Sequence, residues 1–163
     1  MDTTAKPSQT IIVIFGAGGD LTWRKLLPAI YNLYLDKWLP ENFLVLGLDI
    51  KNMSNIRFRE HVHEGIDKFS RSGKAKKKDW DNFKECLAYK KADFKATSTY
   101  DYINNLISQT EKKWKGECNR VFYMAVSPVF IETIVTNIGV AGLAKNKLYS
   151  RVVADRKRGT FGA

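Results

Sequence analysis

The chain has little of the residue types that mark secreted, metal-binding or membrane proteins. Among its 163 residues there are only two cysteines, Cys86 and Cys118, which are widely spaced and have no histidines nearby. This usage argues against a disulfide framework and a metal site, and favours free thiols in a reducing compartment. No apolar run approaches the length of about 20 residues that a membrane helix needs, and the first residues lack the layout of a signal peptide. We therefore predict a cytoplasmic protein with no membrane partner.

The composition is that of one globular domain with a strong positive charge. The chain is 44% hydrophobic and 12% aromatic, which is enough for a sizeable core. Its net charge of +10 is concentrated in residues 68–78 and 151–158. A basic run can contact nucleic-acid phosphates, or it can be a solvated connection between helices. Because no interleaved aromatic residues, zinc-ligand spacing or recognition helix accompany the lysines, we favour the solvated connection and do not expect nucleic acid as a partner. A non-enzymatic nucleotide- or nucleic-acid-binding module that uses residues 68–78 stays open as the alternative function.

The most informative segment is a glycine-rich turn behind an apolar run. Residues 10–15 read Thr-Ile-Ile-Val-Ile-Phe, which is typical of a strand buried on both faces, and Gly16-Ala-Gly-Gly-Asp-Leu21 follows directly. In the helical pattern that comes next, Pro28 predicts a first turn that is separate from, or kinked against, the helix behind it. Strand, glycine turn and helix together aim free N–H groups at a phosphate, which predicts a nucleotide cofactor. No P-loop occurs, and the match to G-x-G-x-x-G is partial because Leu21 holds the third glycine position. A glycine turn without a ligand therefore stays open as the alternative.

Apolar runs and helical spacings alternate along the rest of the chain. We expect strands at 43–48, 87–91, 121–126 and 149–154, and helices at 55–69, 80–83, 100–114 and 129–142. In the helix 55–69 we expect the inward residues to be Ile56, Val62 or His63, Ile66 and Phe69. Such alternation predicts an α/β fold with a doubly wound parallel sheet. With the strand order 3-2-1-4-5, residues 16–21, 49–51 and 125–128 surround one crevice at the carboxyl ends of the strands.

Three segments of the sequence resemble one family of enzymes in order and spacing. Residues 14–33, which contain the string Gly-Asp-Leu-Thr-Trp-Arg-Lys, are similar to the opening of glucose-6-phosphate 1-dehydrogenases. Residues 119–128 resemble the fourth strand of that family with its following turn, and residues 150–153 resemble the strand that leads to its Glu-Lys-Pro motif. The resemblance implies a Rossmann-type coenzyme domain over residues 10–154, behind a flexible lead at 1–9. It implies hydride transfer from C1 of glucose 6-phosphate to NADP or NAD, giving the lactone.

The resemblance also assigns the coenzyme site. The pyrophosphate would be held by backbone N–H groups of one segment, namely Gly16, Ala17, Gly18, Gly19, Asp20, Leu21 and Thr22. The nicotinamide side of the crevice would be formed by Ala125, Val126 and Ser127. From Pro28 we further expect the first turn to present Asp20, Thr22 and Arg24 near the ligand.

The ribose end departs from the family pattern. The family commonly has an arginine after the second strand for the 2′-phosphate of NADP, whereas this chain has Ile50 there, between Asp49 and Lys51. A carboxylate at a strand end accepts a hydrogen bond from a ribose 2′-OH and repels a 2′-phosphate. Lys51 is a mobile charge that offsets this repulsion. We therefore predict that the chain accepts NAD and leave open a preference for NAD over NADP; an NADP affinity far above that for NAD would contradict this. A solvated turn residue is the alternative for Asp49.

The end of the sequence is the second departure. Where the family continues with Glu-Lys-Pro, this chain reads Ala154-Asp-Arg-Lys-Arg and onward to Ala163, so residues 155–163 form an atypical or truncated tail. Lys157 is the nearest lysine to the substrate-contacting position of the family. His61 and His63 match no catalytic position, and we assign no catalytic residue. We expect this chain alone to bind the nicotinamide coenzyme without turnover, and to engage glucose 6-phosphate only together with the family's second half.

Overall fold

The protein is built on a five-stranded parallel sheet. The computed structural model describes residues 8–144 and 150–154. The strand order predicted from the sequence is confirmed, and the strand bounds lie within two residues of the predicted ones. The strands are β1 Thr10–Phe15, β2 Phe43–Asp49, β3 Leu87–Lys91, β4 Asn119–Met124 and β5 Ser150–Ala154. They lie in the sheet in the order β3-β2-β1-β4-β5.

Helices cover both faces of the sheet, as a doubly wound fold requires. Side chains of β1 alternate between the faces: Val13 and Phe15 pack in one apolar cluster, and Ile14 packs in the other. All three are fully buried, which explains the unbroken apolar run in the sequence. The helices are α1 Leu27–Leu35, α2 Asn55–Phe69, α3 Lys77–Phe83, α4 Thr97–Trp114 and α5 Pro128–Val140. The first cluster includes residues of α4 and α5, and the second includes residues of α1, α2 and α3.

The inward face of α2 differs in part from the predicted one. Phe58, Val62 and Ile66 are buried at a spacing of four residues, whereas Ile56 is 71% exposed and Phe69 is 37% exposed. The prediction was right for Val62 and Ile66 and wrong for Ile56 and Phe69. Because Phe58 fits over Gly47 of β2, where an added Cβ would lie 3.0 Å from its ring, the row that contains Phe58 turns toward the sheet.

A wide helical turn precedes α1, at the place where Pro28 predicted a break. Residues Thr22–Leu26 form a π-helical turn, and the N–H of Leu27 donates to the carbonyl of Thr22 five residues earlier. Proline has no N–H to give to the carbonyl four residues before it, so a regular α-helix cannot run through this point. The irregularity predicted at Pro28 is therefore present as a π-helical turn, but the first turn is not separate, because the helical backbone continues through it into α1.

Some expectations fall on residues outside the described ranges. They are the flexible lead, of which only Ser8 and Gln9 are described, the tail 155–163, and Lys157. Among the described residues, no helix combines the length and the apolar character needed to cross a bilayer.

Candidate functional site

The glycine turn begins with a backbone conformation that only glycine adopts easily. Gly16 has φ +91, and a Cβ placed on it would lie 2.1 Å from the carbonyl oxygen of Ala125. The N–H groups of Gly16 and Ala17 both donate to the carbonyl of Leu48 in β2, at 2.8 and 3.1 Å. The turn is thus held tightly between the carboxyl ends of β2 and β4.

Two side chains that follow β2 hold the middle of the turn. Asp49 Oδ2 accepts the N–H of Gly18 at 2.8 Å, and Lys51 Nζ donates to the carbonyl of Gly18 at 2.6 Å. The other carboxylate oxygen of Asp49 accepts the N–H of Ile50 at 2.7 Å. The structure therefore brings Asp49 and Lys51 to the glycine turn, as predicted, and shows both of them bonded to its backbone.

The backbone N–H groups of the turn divide into two sets. Those of residues 16–18 donate within the protein, as described above, and the N–H of Gly19 donates to the carbonyl of Gly16 at 3.1 Å. The first helical bond is the one from Trp23 N–H to the carbonyl of Gly19, at 3.2 Å. The N–H groups of residues 20–22 precede that bond and are the ones that a helix N-terminus offers to an anion.

Thr22 has a structural position in this turn. It is completely buried, and its hydroxyl donates to the carbonyl of Gly16 at 3.0 Å. The π-helical turn therefore points the Thr22 side chain back at the glycine turn, and only the backbone N–H of Thr22 is left to face a ligand; binding through that N–H stays a prediction. Asp20 and Arg24 are exposed, and their charged groups lie 3.6 Å apart; their position beside a ligand stays a prediction.

A cleft of about 400 Å³ lies between this first turn and the connection that leads from β4 to α5. The N–H of Ala125 donates to the carbonyl of Phe15 at 2.8 Å, which fixes that connection beside the glycine turn. Arg24 and Lys25 contribute the basic side chains of the cleft. Lys25 was missed by the sequence reasoning, although its place in the Arg-Lys string was visible. The cleft is lined by Gly19, Asp20, Leu21, Arg24, Lys25, Ala125, Val126 and Ser127.

A second cleft, of about 330 Å³, opens at the carboxyl end of β3. Leu48 of β2 and Ala92 form apolar parts of its lining, and Lys90 lies over the ring of Tyr102 at 5.2 Å from its centroid. The first turn of α4 closes the other side. Both clefts lie at the carboxyl edge of the sheet, on either side of the residues that follow β2.

Tyr89 holds the backbone of residues 49–51, which lie between the two clefts. Its hydroxyl donates to the carbonyl of Lys51 at 2.5 Å and lies 3.5 Å from the carbonyl of Asp49. Burial, with a smaller contribution from the negative charge of Asp49, raises the pKa of Tyr89 to about 12. The hydroxyl therefore keeps its proton and stays a donor at neutral pH.

The two histidines lie on α2 in aromatic contacts. His61 stacks on Trp23 with 5.2 Å between the ring centroids, and burial lowers its pKa. His63 stacks on Trp80 at 4.4 Å, and its Nε2 lies 3.7 Å from Asp67. Neither histidine lines the clefts described here. Within residues 8–144 and 150–154, no group of three His, Cys, Asp or Glu side chains is placed to hold a metal ion.

Comparison with known proteins gives the family of the chain. Residues 13–160 match the model of the family described as glucose-6-phosphate dehydrogenase, NAD binding domain. The glucose-6-phosphate 1-dehydrogenase of Chlamydia muridarum is 34% identical over 128 residues, which are 78% of this chain and 25% of that protein. The enzyme of Bacillus subtilis is 33% identical over 159 residues, 98% of this chain and 31% of the relative.

Solved structures agree with the sequence comparison. The crystal structure of glucose-6-phosphate 1-dehydrogenase from Mycobacterium avium superposes with a TM-score of 0.76 at 21% identity, covering 92% of this chain and 30% of the other. A glucose-6-phosphate dehydrogenase in complex with glucose 6-phosphate gives a TM-score of 0.79 at 22% identity, covering 93% of this chain and 31% of the other. At these identities the superpositions show the shared fold. The chain spans about a quarter to a third of the length of the curated relatives it matches, and it belongs to the glucose-6-phosphate dehydrogenase family, of which it carries the NAD-binding domain.

Proposed function

We propose that residues 10–154 are the coenzyme-binding part of an oxidoreductase that transfers hydride between glucose 6-phosphate and a nicotinamide coenzyme, in the pentose phosphate pathway. The observation that carries the proposal is the first cleft. It joins the N-terminal turn of a helix, whose leading N–H groups are free of helical bonds, to basic side chains at the switch point of a doubly wound sheet. We propose a cytoplasmic location for this activity.

The residues of the chain fit an extended dinucleotide. The N–H groups of residues 20–22, with Arg24 and Lys25 beside them, suit the pyrophosphate. Ala125, Val126 and Ser127 form the side of the cleft toward β4 and suit the nicotinamide. The second cleft, beyond β2, suits the adenosine end because its lining combines apolar side chains with the ring of Tyr102.

The chemistry divides between the coenzyme and the protein. A bound coenzyme would supply the hydride acceptor for C1 of the sugar, and the proton of the C1 hydroxyl would go to a base, so that the lactone would form. The described residues would contribute binding and orientation: the N–H groups of residues 20–22, which follow the glycine turn, would hold the phosphates, and the connection after β4 would position the nicotinamide face. We assign the sugar-phosphate site and the base to the part of the family's length that this chain does not cover.

The test is a titration of the 163-residue chain with NADPH and NADH, followed by the fluorescence of the reduced nicotinamide. We expect saturable binding at a ratio of one to one. Lys25→Glu should weaken both coenzymes about tenfold, because it reverses a charge beside the pyrophosphate. The matched control is Lys113→Glu on exposed Lys113, near the end of α4 at the opposite edge of the sheet. Failure of the folded wild-type chain to bind either coenzyme would contradict the proposal.

Turnover is tested in the same preparations. With glucose 6-phosphate and oxidised coenzyme, we expect no absorbance of reduced coenzyme to accumulate. Sustained production by the 163-residue chain would contradict our assignment of the base and the sugar-phosphate site to the rest of the family's length.

The basic segment 68–78 adds no separate function to this proposal. Its lysines from Lys74 onward are exposed; Lys77 pairs with Asp81 at 2.8 Å, and the N–H of Ala75 donates to Asp67 at 2.9 Å. We propose that the segment is a solvated connection that is held to α2 and α3 by this hydrogen bond and this ion pair. Salt-dependent RNA or DNA binding that disappears when the lysines become glutamine would contradict this.

A further inference from the structure

The π-helical turn Thr22–Leu26 contacts α2 through the side chain of Trp23. The indole N–H of Trp23 donates to the carbonyl of His61 at 2.9 Å, and the indole ring stacks on the imidazole of the same residue. Gly65, one turn further along α2, leaves space for the indole, because a Cβ placed on it would lie 2.6 Å from Trp23 Cδ1. A hydrogen bond and two packing contacts therefore fix the orientation of Trp23 against α2.

Phe69, at the end of α2, extends this contact to Arg24. Its ring meets the indole of Trp23 edge-on, with 5.0 Å between the ring centroids and 83° between the ring planes. The guanidinium carbon of Arg24 lies 5.4 Å from the centroid of the Phe69 ring, which is within the range of a cation–π contact. Trp23 and Phe69 thus form an aromatic pair that joins α2 to Arg24.

Arg24 carries one of the two positive charges that line the first cleft. Its side chain is 55% exposed, and an arginine on a surface otherwise samples many rotamers, whose loss opposes the binding of a ligand. The ring of Phe69 and the carboxylate of Asp20, 3.6 Å from the guanidinium, restrict these rotamers. A guanidinium has five N–H donors, so donors remain for an anion in the cleft.

We propose that the aromatic pair Trp23 and Phe69 positions Arg24 for the pyrophosphate of the coenzyme. The inference rests on the proposed coenzyme function and deepens it, because it extends the site to α2, which contributes no lining residue to the first cleft. Phe69 and Trp23 are positioning residues that act through Arg24. A guanidinium that is already ordered loses less freedom when its planar fork meets two phosphate oxygens, so the pair raises the affinity for the coenzyme.

The closing experiment is a double-mutant cycle on the 163-residue chain, in which NADPH binding is followed by the fluorescence of the reduced nicotinamide. We expect Phe69→Leu to weaken NADPH binding about two- to fivefold, which corresponds to one exposed cation–π contact. Phe69→Tyr keeps the ring and should bind NADPH as the wild type does. With Arg24→Gln already present, Phe69→Leu should cause no further loss. The matched control is Trp38→Leu, at an exposed aromatic residue outside both clefts, which should leave the affinity unchanged.

The results separate this inference from the proposed function. If Phe69→Leu binds NADPH as tightly as the wild type, the inference is overturned and the coenzyme function stands. The same holds if Phe69→Leu weakens binding by the same factor in the wild-type and Arg24→Gln proteins, because Phe69 then acts without Arg24. If the folded wild-type chain binds neither NADPH nor NADH, both the proposed function and the inference fail.

A second measurement tests the positioning of Arg24 without any ligand. The ¹H–¹⁵N heteronuclear NOE of the Arg24 Nε–H group reports how mobile the guanidinium is on the ps–ns timescale. We expect an ordered group in the wild type and in Phe69→Tyr. In Phe69→Leu, and in Trp23→Leu, which removes the ring that Phe69 packs against, the group should be mobile. Equal mobility in all four proteins overturns the positioning role.

Discussion

The close approach of Gly16 to Ala125 leads to a sharp prediction about stability. In Gly16→Ala, the left-handed backbone conformation at φ +91 costs about 1–2 kcal/mol for a residue with a Cβ. The new Cβ would also lie 2.1 Å from Ala125 O and 2.8 Å from Ala125 C, which are backbone atoms that cannot rotate away. Overpacking of this kind costs a further 1–3 kcal/mol, roughly. The sum of about 2–5 kcal/mol is a large part of the stability of an ordinary domain.

Substitutions at two other glycines separate the cost of the backbone conformation from the cost of overpacking. Gly73 has φ +76 with nothing within 4 Å of an added Cβ, so Gly73→Ala carries only the conformational cost of about 1–2 kcal/mol. Gly139 lies near the end of α5, also with nothing within 4 Å, so Gly139→Ala should stabilise the protein by up to about 1 kcal/mol.

Urea denaturation followed by far-UV circular dichroism gives the free energy of unfolding of each variant. From the most to the least stable protein, the expected order is Gly139→Ala, wild type, Gly73→Ala and Gly16→Ala. If Gly16→Ala lowers the free energy of unfolding no more than Gly73→Ala does, the contact with Ala125 does not constrain the turn and the reasoning fails.

Three further predictions concern buried polar groups. Thr22→Val removes the hydroxyl bonded to the Gly16 carbonyl and should cost about 1 kcal/mol in the same urea assay; no loss would contradict its structural role. Burial, with help from the Glu111 carboxylate, raises the pKa of Cys118 to about 12, and burial also raises that of Cys86. At pH 8, mass spectrometry after iodoacetamide treatment should show slow labelling of half-buried Cys86 and none of Cys118 without denaturant; equal labelling would contradict the structure. Because the ordinary pKa of the Cys118 thiol is 9.0, the free energy of unfolding should fall as pH rises from 9 toward 12, and Cys118→Ala should flatten this fall.

The strands were predictable because their signals lie in continuous stretches of sequence, and their order followed from the usual order of a doubly wound sheet. A strand buried on both faces must be apolar throughout, and Thr10–Phe15 is such a run. The glycine turn marks the end of β1, and Pro28 marks the start of α1, through backbone chemistry alone. These features depend on neighbours in the chain, so the sequence displays them directly.

Other features depend on contacts between distant residues and could not be predicted. The sequence shows two apolar rows on α2, and only the gap over Gly47 selects the row with Phe58. The sequence places a carboxylate at Asp49, but it does not show that both carboxylate oxygens already accept backbone N–H groups. Whether Asp49 and Lys51 bind the coenzyme stays a prediction.

The position of β1 in the sheet has a consequence for the order in which the chain acquires its structure. β1 pairs with β2, which follows it closely, and with β4, where Thr10 is in register with Asn119. During synthesis on the ribosome, the edge of β1 that pairs with β4 therefore stays unpaired until β4 emerges, much later than β2. Pairings between residues so far apart form slowly, and an open apolar edge invites association with other chains. Joining of β4 to β1 is expected to be the late step, and the cleft can exist only after it.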